Sequence, residues 1–372
     1  MDIPKTMRAV VYRGANDLRL EIIPVPQIKA GELLVKVAVC GVCPTDIKKI
    51  QSGLLAPPRI FGHETAGTIV KIGARVKNFH LGDRVALHHH VPCLRCHFCR
   101  HRAFAQCETY QRTGITAGFE PSGGGYAEYV RVMPFVLPGV VKIPRKNSWI
   151  EGAMLEPTNT ILKAIHRLEL LRGDSVLVIG QGPIGLMFTK ILALRGMKVV
   201  ASDLMETRLK FAKTFGANAV FQPEEFTAQK RGENETQNSK LQTANSSAPP
   251  LCVSAVKIAA FDAAVITVPS DAAVTMAEKS VRGGGQILLF AHTQRGVKSQ
   301  FDFSTVCLDE KDFIGSYSSD ITLQKEAAKL IFTRQLNVRL LITHQFPLEK
   351  TADAIALAAH PSADSLKIMV AP

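Results

Sequence analysis

Residues 175–203 constrain the fold more than any other stretch of the chain. Ser175-Val-Leu-Val-Ile179 is a continuous apolar run of strand length. It meets a glycine turn, Gly180-Gln-Gly182-Pro183-Ile184-Gly185, followed by a helical stretch to about Arg195 and a second strand, Lys198–Ser202. Strand, turn, helix and strand in this order form a βαβ unit, which commits the region to a parallel sheet. Gly180 permits the tight turn, Gly182 lets a pyrophosphate approach the backbone, and Gly185 lets helix and strand pack closely. Pro183 suits the first helical turn, where its missing N–H is no loss, and the helix N-terminus offers N–H groups to phosphate. Asp203 ends the second strand, 18 residues beyond Gly185. A carboxylate there accepts hydrogen bonds from ribose hydroxyls and repels a 2′-phosphate, so NAD is expected over NADP. Arg208 joins Gly180, Gly182, Pro183, Ile184, Gly185 and Asp203 in the expected cofactor-binding set. The plainer alternatives are a glycine turn without a ligand and an Asp203 that caps a helix.

The rest of the chain divides into two textures. At 372 residues it is too long for one ordinary core. The first 150 residues read as β-rich, with runs at Arg8–Tyr12, Leu33–Cys40, Thr65–Ile72, Arg84–Leu87 and Ala127–Val132 separated by Gly and Pro signals. A helix over Thr160–Leu170 opens the second texture. Further strands are expected at Ala219–Phe221, Ala263–Val268, Gln286–Phe290 and Phe313–Ser316. Helix and strand alternating in this way predict an α/β, doubly wound parallel sheet. The segment 222–250 is polar and ends in Ser-Ser-Ala-Pro-Pro, and reads as a solvent-exposed, partly disordered insertion or a partner-binding loop.

No run of 18 apolar residues occurs, and the opening MDIPKTMRAVVYRG lacks the apolar core of a signal peptide. The expected setting is cytoplasmic, with no membrane partner. The formal net charge of +13 is spread along the chain without interleaved aromatics, so nucleic acid is not expected as a partner. A rival reading uses Arg95, Arg100 and Arg102 as a nucleic-acid-binding patch.

Among the eight cysteines, Cys93-x2-Cys96-x2-Cys99-x7-Cys107 stands out. In a reducing compartment such clustering reads as metal ligation before disulfides. Short spacings let one loop wrap four thiolates around a tetrahedral Zn2+ and leave no open place, which makes the site structural. An iron–sulfur cluster also takes four cysteines, but this spacing fits poorly. His88, His89 and His90 read as strand-end residues, and His97 and His101 as exposed residues of the lobe.

A second constellation is dispersed. Cys43 lies in Gly41-Val-Cys43-Pro-Thr45-Asp46, His63 and Glu64 follow Gly62, and Glu156 sits in Leu155-Glu156-Pro157. A catalytic zinc takes about three protein ligands and one open position. Cys43 and His63 supply two, and either Glu64 or Glu156 completes the set. In isolation, Cys43 reads as a small buried apolar group and Glu64 as a surface charge.

With these motifs in this order, the chain resembles the zinc-dependent medium-chain dehydrogenase/reductase family. The resemblance rests on Cys40-Gly-Val-Cys43-Pro-Thr-Asp46, Gly62-His-Glu64, Leu81-Gly-Asp-Arg-Val85, the four-cysteine lobe, Gly124-Gly-Tyr-Ala-Glu-Tyr-Val130, Leu155-Glu-Pro157 and Gly180–Gly185 with Asp203. It implies a GroES-like catalytic domain over 1–152 with a zinc lobe near 88–110. A Rossmann NAD-binding domain over 153–318 follows, and the segment 319–372 returns to the first domain. The Gly-His-Glu and Glu-Pro pairs are most similar to the sorbitol and threonine dehydrogenase branch. There the counterparts of Cys43, His63 and Glu64 hold the catalytic zinc, Glu156 binds directly or through water, and Asp46 holds the His63 ring. Three positions depart from the pattern: Pro44, Lys48 where many relatives place a relay histidine, and Thr158-Asn159-Thr160 in place of a more apolar sequence.

The resemblance implies one catalytic and one structural zinc, NAD, an alcohol or ketone substrate, and a homodimer or homotetramer. The reaction expected is hydride transfer between a secondary alcohol (polyol, sugar or amino alcohol) and NAD. Thr45 is placed to pass the hydroxyl proton outward; Lys48 continues that relay, attracts an anionic group, or is a plain surface lysine. The rival of a different class is a non-catalytic zinc and NAD module acting as a sensor or interaction protein.

Overall fold

A computed structural model describes residues 2–88, 90–113, 123–224, 260–291, 293, 296–299 and 302–372. Most of the polar 222–250 segment, together with His89 and Cys252, lies outside them. The chain divides into two compact units, Met1–Lys163 with Tyr317–Pro372, and Ala164–Ser316.

The first unit is built on a seven-stranded sheet. Its order is Ile342–Pro347, Lys367–Ala371, Leu33–Gly41, Glu64–Ile72, Arg84–Leu87 and Val140–Lys142, with Tyr129–Val132 also paired to the Leu33–Gly41 strand. Leu33–Gly41 and Glu64–Ile72 run antiparallel, and two register shifts let the Gly41 end meet Glu64 directly. The C-terminal strand joins the same end, with Met369 opposite Gly41 and Val370 opposite Cys40. Asp17–Pro24, Thr6–Gly14 and Arg59–Ile60 form a separate three-stranded sheet. Its inward residues Val11 and Tyr12 pack with Phe61, Tyr126 and Val370 in one apolar cluster.

The second unit holds a six-stranded parallel sheet in the order Ala219–Phe221, Lys198–Ser202, Ser175–Ile179, Phe261–Ile266, Val281–Leu289, Asp312–Gly315. Counted along the chain this is 3-2-1-4-5-6, the Rossmann order, whose switch point lies beside the first strand. Several expected boundaries move, three of them instructively. The strand expected at Gln286 starts at Val281, which pairs with Phe261; the ladder resumes at Gln286 opposite Ala263, and the Gly-rich run 283–285 between them bulges, with Gly284 at φ 65°. The strand expected at Ala263 starts at Phe261, where Phe261 pairs with Val281. The helix expected over Thr160–Leu170 spans Leu155–Ile165, since proline in a first turn has no N–H that the helix needs. Among the described residues, no helix is long and apolar enough to cross a membrane.

Candidate active site and zinc lobe

In the first unit, strand ends and one helix terminus bring the dispersed constellation together. Cys43 is the N-cap of the helix Pro44–Ser52, with Pro44 in its first turn. Glu64 opens its strand opposite Gly41, and a Cβ at Gly41 would fall 1.9 Å from the Glu64 carboxylate, so only glycine leaves it room. The ligand atoms of Cys43, His63 and Glu64 lie within 4.8 Å of one another. Sulfur, imidazole and carboxylate at that spacing fit a zinc ion. His63 Nδ1 is 3.0 Å from Asp46 Oδ1, and Asp46 is fully buried on the inner face of the same helix. That contact fixes the ring and leaves Nε2 for a metal.

Glu156 is not part of this convergent trio. Its Oε1 lies 3.2 Å from His90 Nδ1 and accepts from Thr160 Oγ1 at 3.3 Å. Burial pushes its carboxyl up to about 7, with Glu64 adding to the rise and His63 and Lys367 opposing it. Thr45 and Lys48 are half-buried, three positions apart on the Pro44–Ser52 helix and so on one face. Burial lowers the pKa of Lys48, and the Cys43 sulfur works the other way.

Two groups escape a reading of the sequence. His88 and His90 are buried side chains, not ordinary strand-end residues; both are held neutral by burial, His88 at about 3 and His90 well below its ordinary value. Lys367, on the C-terminal strand, is 5% exposed, pairs with Glu64 Oε2 and donates to the Val42 carbonyl at 2.8 Å. The charged residue in the otherwise apolar Lys367-Ile-Met-Val-Ala was the signal available for it.

In the lobe, the four sulfurs of Cys93, Cys96, Cys99 and Cys107 also lie within 4.8 Å of one another. Cys96 Sγ is 3.5 Å from Cys99 Sγ, and Cys93 Sγ is 3.9 Å from Cys99 Sγ. A zinc with Zn–S bonds of about 2.3 Å sets tetrahedral edges of about 3.8 Å, so the cage fits. The backbone N–H groups of Arg95 and Cys96 draw the Cys93 thiol down to about 6, favouring the thiolate a metal needs. Phe104 closes the cage from the apolar side.

In the second unit, Gly180 adopts φ 91°, and a Cβ on Gly185 would fall 1.8 Å from the Gly180 carbonyl oxygen. Pro183 and Ile184 open the helix Pro183–Leu194, with Gly182 as its N-cap. Asp203 Oδ2 accepts from Gln181 N at 2.6 Å, and Oδ1 accepts from Met205 N at 2.9 Å. Arg208 Nη1 stands 3.9 Å from Asp203 Oδ2. The carboxylate thus ties the glycine turn to the end of the second strand, and the following helix has Met205 as its N-cap, not Asp203.

Comparison with known proteins follows this geometry. The family model described as Alcohol dehydrogenase GroES-like domain matches residues 29–145, and the model described as Zinc-binding dehydrogenase matches residues 183–333. The chain belongs to the zinc-dependent medium-chain dehydrogenase/reductase family. Among similar members are a sorbitol dehydrogenase of Bombyx mori, 28% identical over 97% of this chain and 97% of that protein, and a sorbitol dehydrogenase of Bacillus subtilis, 28% identical over 100% and 98%. The crystal structure of 2R,3R-butanediol dehydrogenase from Bacillus subtilis shares the fold, with a TM-score of 0.77 at 22% identity, covering 98% of this chain and 99% of that one.

Proposed function

We propose that this family member oxidises a secondary alcohol of the polyol, sugar or amino-alcohol class with NAD, or reduces the matching ketone. The convergence of Cys43, His63 and Glu64 in a buried site carries the reading. A sensor or interaction module has no need of such a ligand set beside a closed four-thiolate cage.

Cys43, His63 and Glu64 would hold the catalytic zinc, and Cys93, Cys96, Cys99 and Cys107 the structural one. When bound, the catalytic ion supplies Lewis-acid polarisation of the substrate oxygen. Asp46 keeps the His63 ring oriented, with its Nδ1 engaged. Thr45 receives the hydroxyl proton and Lys48, on the same helix face, is the candidate for its next position. Glu156, its carboxyl raised by burial, lines the same site through its contact with His90. Gly180, Gly182 and Gly185 cradle the pyrophosphate of NAD. Asp203, with Arg208 beside it, takes the adenosine ribose hydroxyls.

The free clustered cysteines support work in a reducing compartment, the cytosol, and family resemblance supports a homodimer or homotetramer, which light scattering would count. The functional test is NADH production over a panel of polyols, amino alcohols and sugar acids, with zinc measured on the same sample. Absence of turnover on every secondary alcohol by zinc-replete protein would overturn the reading.

A further inference from the structure

His88 and Asn159 have no part in the reading above, yet the fold joins both to His90 and Glu156. Ser319 Oγ lies 2.8 Å from His88 Nε2 and 2.9 Å from His90 Nδ1, and the same His90 nitrogen is 3.2 Å from Glu156 Oε1. All four side chains are buried, and Ser319 is 2% exposed. Between two neutral imidazoles a hydroxyl can donate to one ring nitrogen and accept from the other; an alanine can do neither.

The backbone that presents Ser319 is itself fixed. Ser318 before it adopts φ 63°, a conformation rare for a residue with a Cβ. The N–H of Asp320 after it donates to Asn159 Oδ1 at 2.9 Å, and Asn159 Nδ2 donates to Gln324 Oε1 at 2.9 Å. Asn159 is fully buried and lies three residues after Glu156 on the helix Leu155–Ile165. The contacts therefore close a ring: from Glu156 to His90, to Ser319, through Asp320 to Asn159, and back along one helical turn to Glu156.

We infer that Ser319 is a positioning residue for the active site: by bridging His88 and His90 it holds His90, and through it the Glu156 carboxyl, in one orientation. The inference rests on the reading that places Glu156 in the alcohol site. The histidine bridge gives the departures from the family pattern at 158–160 a shared purpose, because Asn159 sets the backbone from which Ser319 reaches inward.

The test compares S319A and S319T with wild type as zinc-replete protein, using NAD and the best polyol of the panel. The expected result is a fall in kcat of about 10- to 100-fold for S319A at nearly unchanged KM, undiminished zinc content, and recovery of most of the loss in S319T. Wild-type kcat in S319A overturns the inference, and so does an equal deficit in S319A and S319T. If S319A does not fold, S319C, similar in volume but a weak donor, is read in its place, and full kcat there is equally fatal. The cobalt-substituted proteins give a readout that needs no substrate. A changed visible spectrum in S319A supports the positioning role, and spectra that superimpose on wild type refute it. If wild type oxidises no secondary alcohol of the panel, the functional reading fails and the cobalt comparison alone decides the role of Ser319.

Discussion

The Lys367 ammonium is buried against the Glu64 carboxylate, joining the C-terminal strand to the strand that opens on that candidate zinc ligand. Burial alone would lower the Lys367 pKa, but Glu64 and Cys43 more than reverse that, so the ammonium stays charged. Removing one member leaves the other charge buried without its partner. K367M is therefore expected to destabilise the zinc-free protein, where Glu64 faces no other cation of the site, by about 3 kcal/mol in chemical denaturation. An unchanged midpoint and slope would show the pair to be dispensable.

Replacing Cys43 by Ala separates metal chemistry from cofactor binding. One of the two zinc ions should be lost, NAD binding by calorimetry should persist, and alcohol oxidation should fall by at least about 1000-fold. C96A should also cost one zinc, in this case with a lowered melting temperature, because the lobe folds around its cage. Retention of both ions in either variant would contradict the ligand sets proposed here.

Asp203 offers a cofactor test. D203A removes the carboxylate that accepts from Gln181 and Met205. The value of kcat/KM for NAD should drop by about 10- to 100-fold, and the preference for NAD over NADP should shrink. A wild type that uses NADP as well as NAD would defeat the assignment outright.

The dependence of stability on acid has a definite source at Glu151. Burial pushes its carboxyl up, but the Arg334 guanidinium, the Ser148 N–H and the Asn147 amide outweigh that and bring it to about 2, below its ordinary 4.5. Its folded value is depressed, so its contribution is complete above about pH 4.5 and fades as the pH falls toward 2. E151Q, which keeps an oxygen for the Ser148 N–H but loses the charge facing Arg334, should cost on the order of 2 kcal/mol at pH 7. The gap from wild type should narrow in denaturation curves taken near pH 3; a constant gap would point to packing instead.

Local pattern made much of this molecule legible. Leu33–Gly41, Arg84–Leu87 and Lys198–Ser202 read as strands because each is a short apolar or alternating run between turn residues. The thiolate cage was legible because its four ligands sit in one short loop. Cys43, His63 and Asp46 were legible through motifs, although the spacing alone did not join them. Ser319 was not, since a serine in isolation carries no signal of burial, and Lys367 showed only as a charge at the head of an apolar run. Ser319 meets its histidines across 229 and 231 residues of chain, a pairing that only tertiary packing creates. The Val281 start of its strand was not legible for another reason: its single pairing with Phe261 stands apart from the rest of the ladder, beyond a glycine-rich bulge.

The antiparallel register of Met369 with Gly41 and Val370 with Cys40 also has a consequence for biosynthesis. Residues 33–72 leave the ribosome long before the strand that completes their edge, whereas the parallel sheet of 175–315 is contiguous in synthesis and can condense on its own. Until residues 342–371 emerge, Glu64 has no counter-charge and an unfinished sheet edge stands open to other chains. Assembly of the metal-binding half therefore waits for residues 342–371, and the nascent stage most exposed to chaperones is the one just before they emerge.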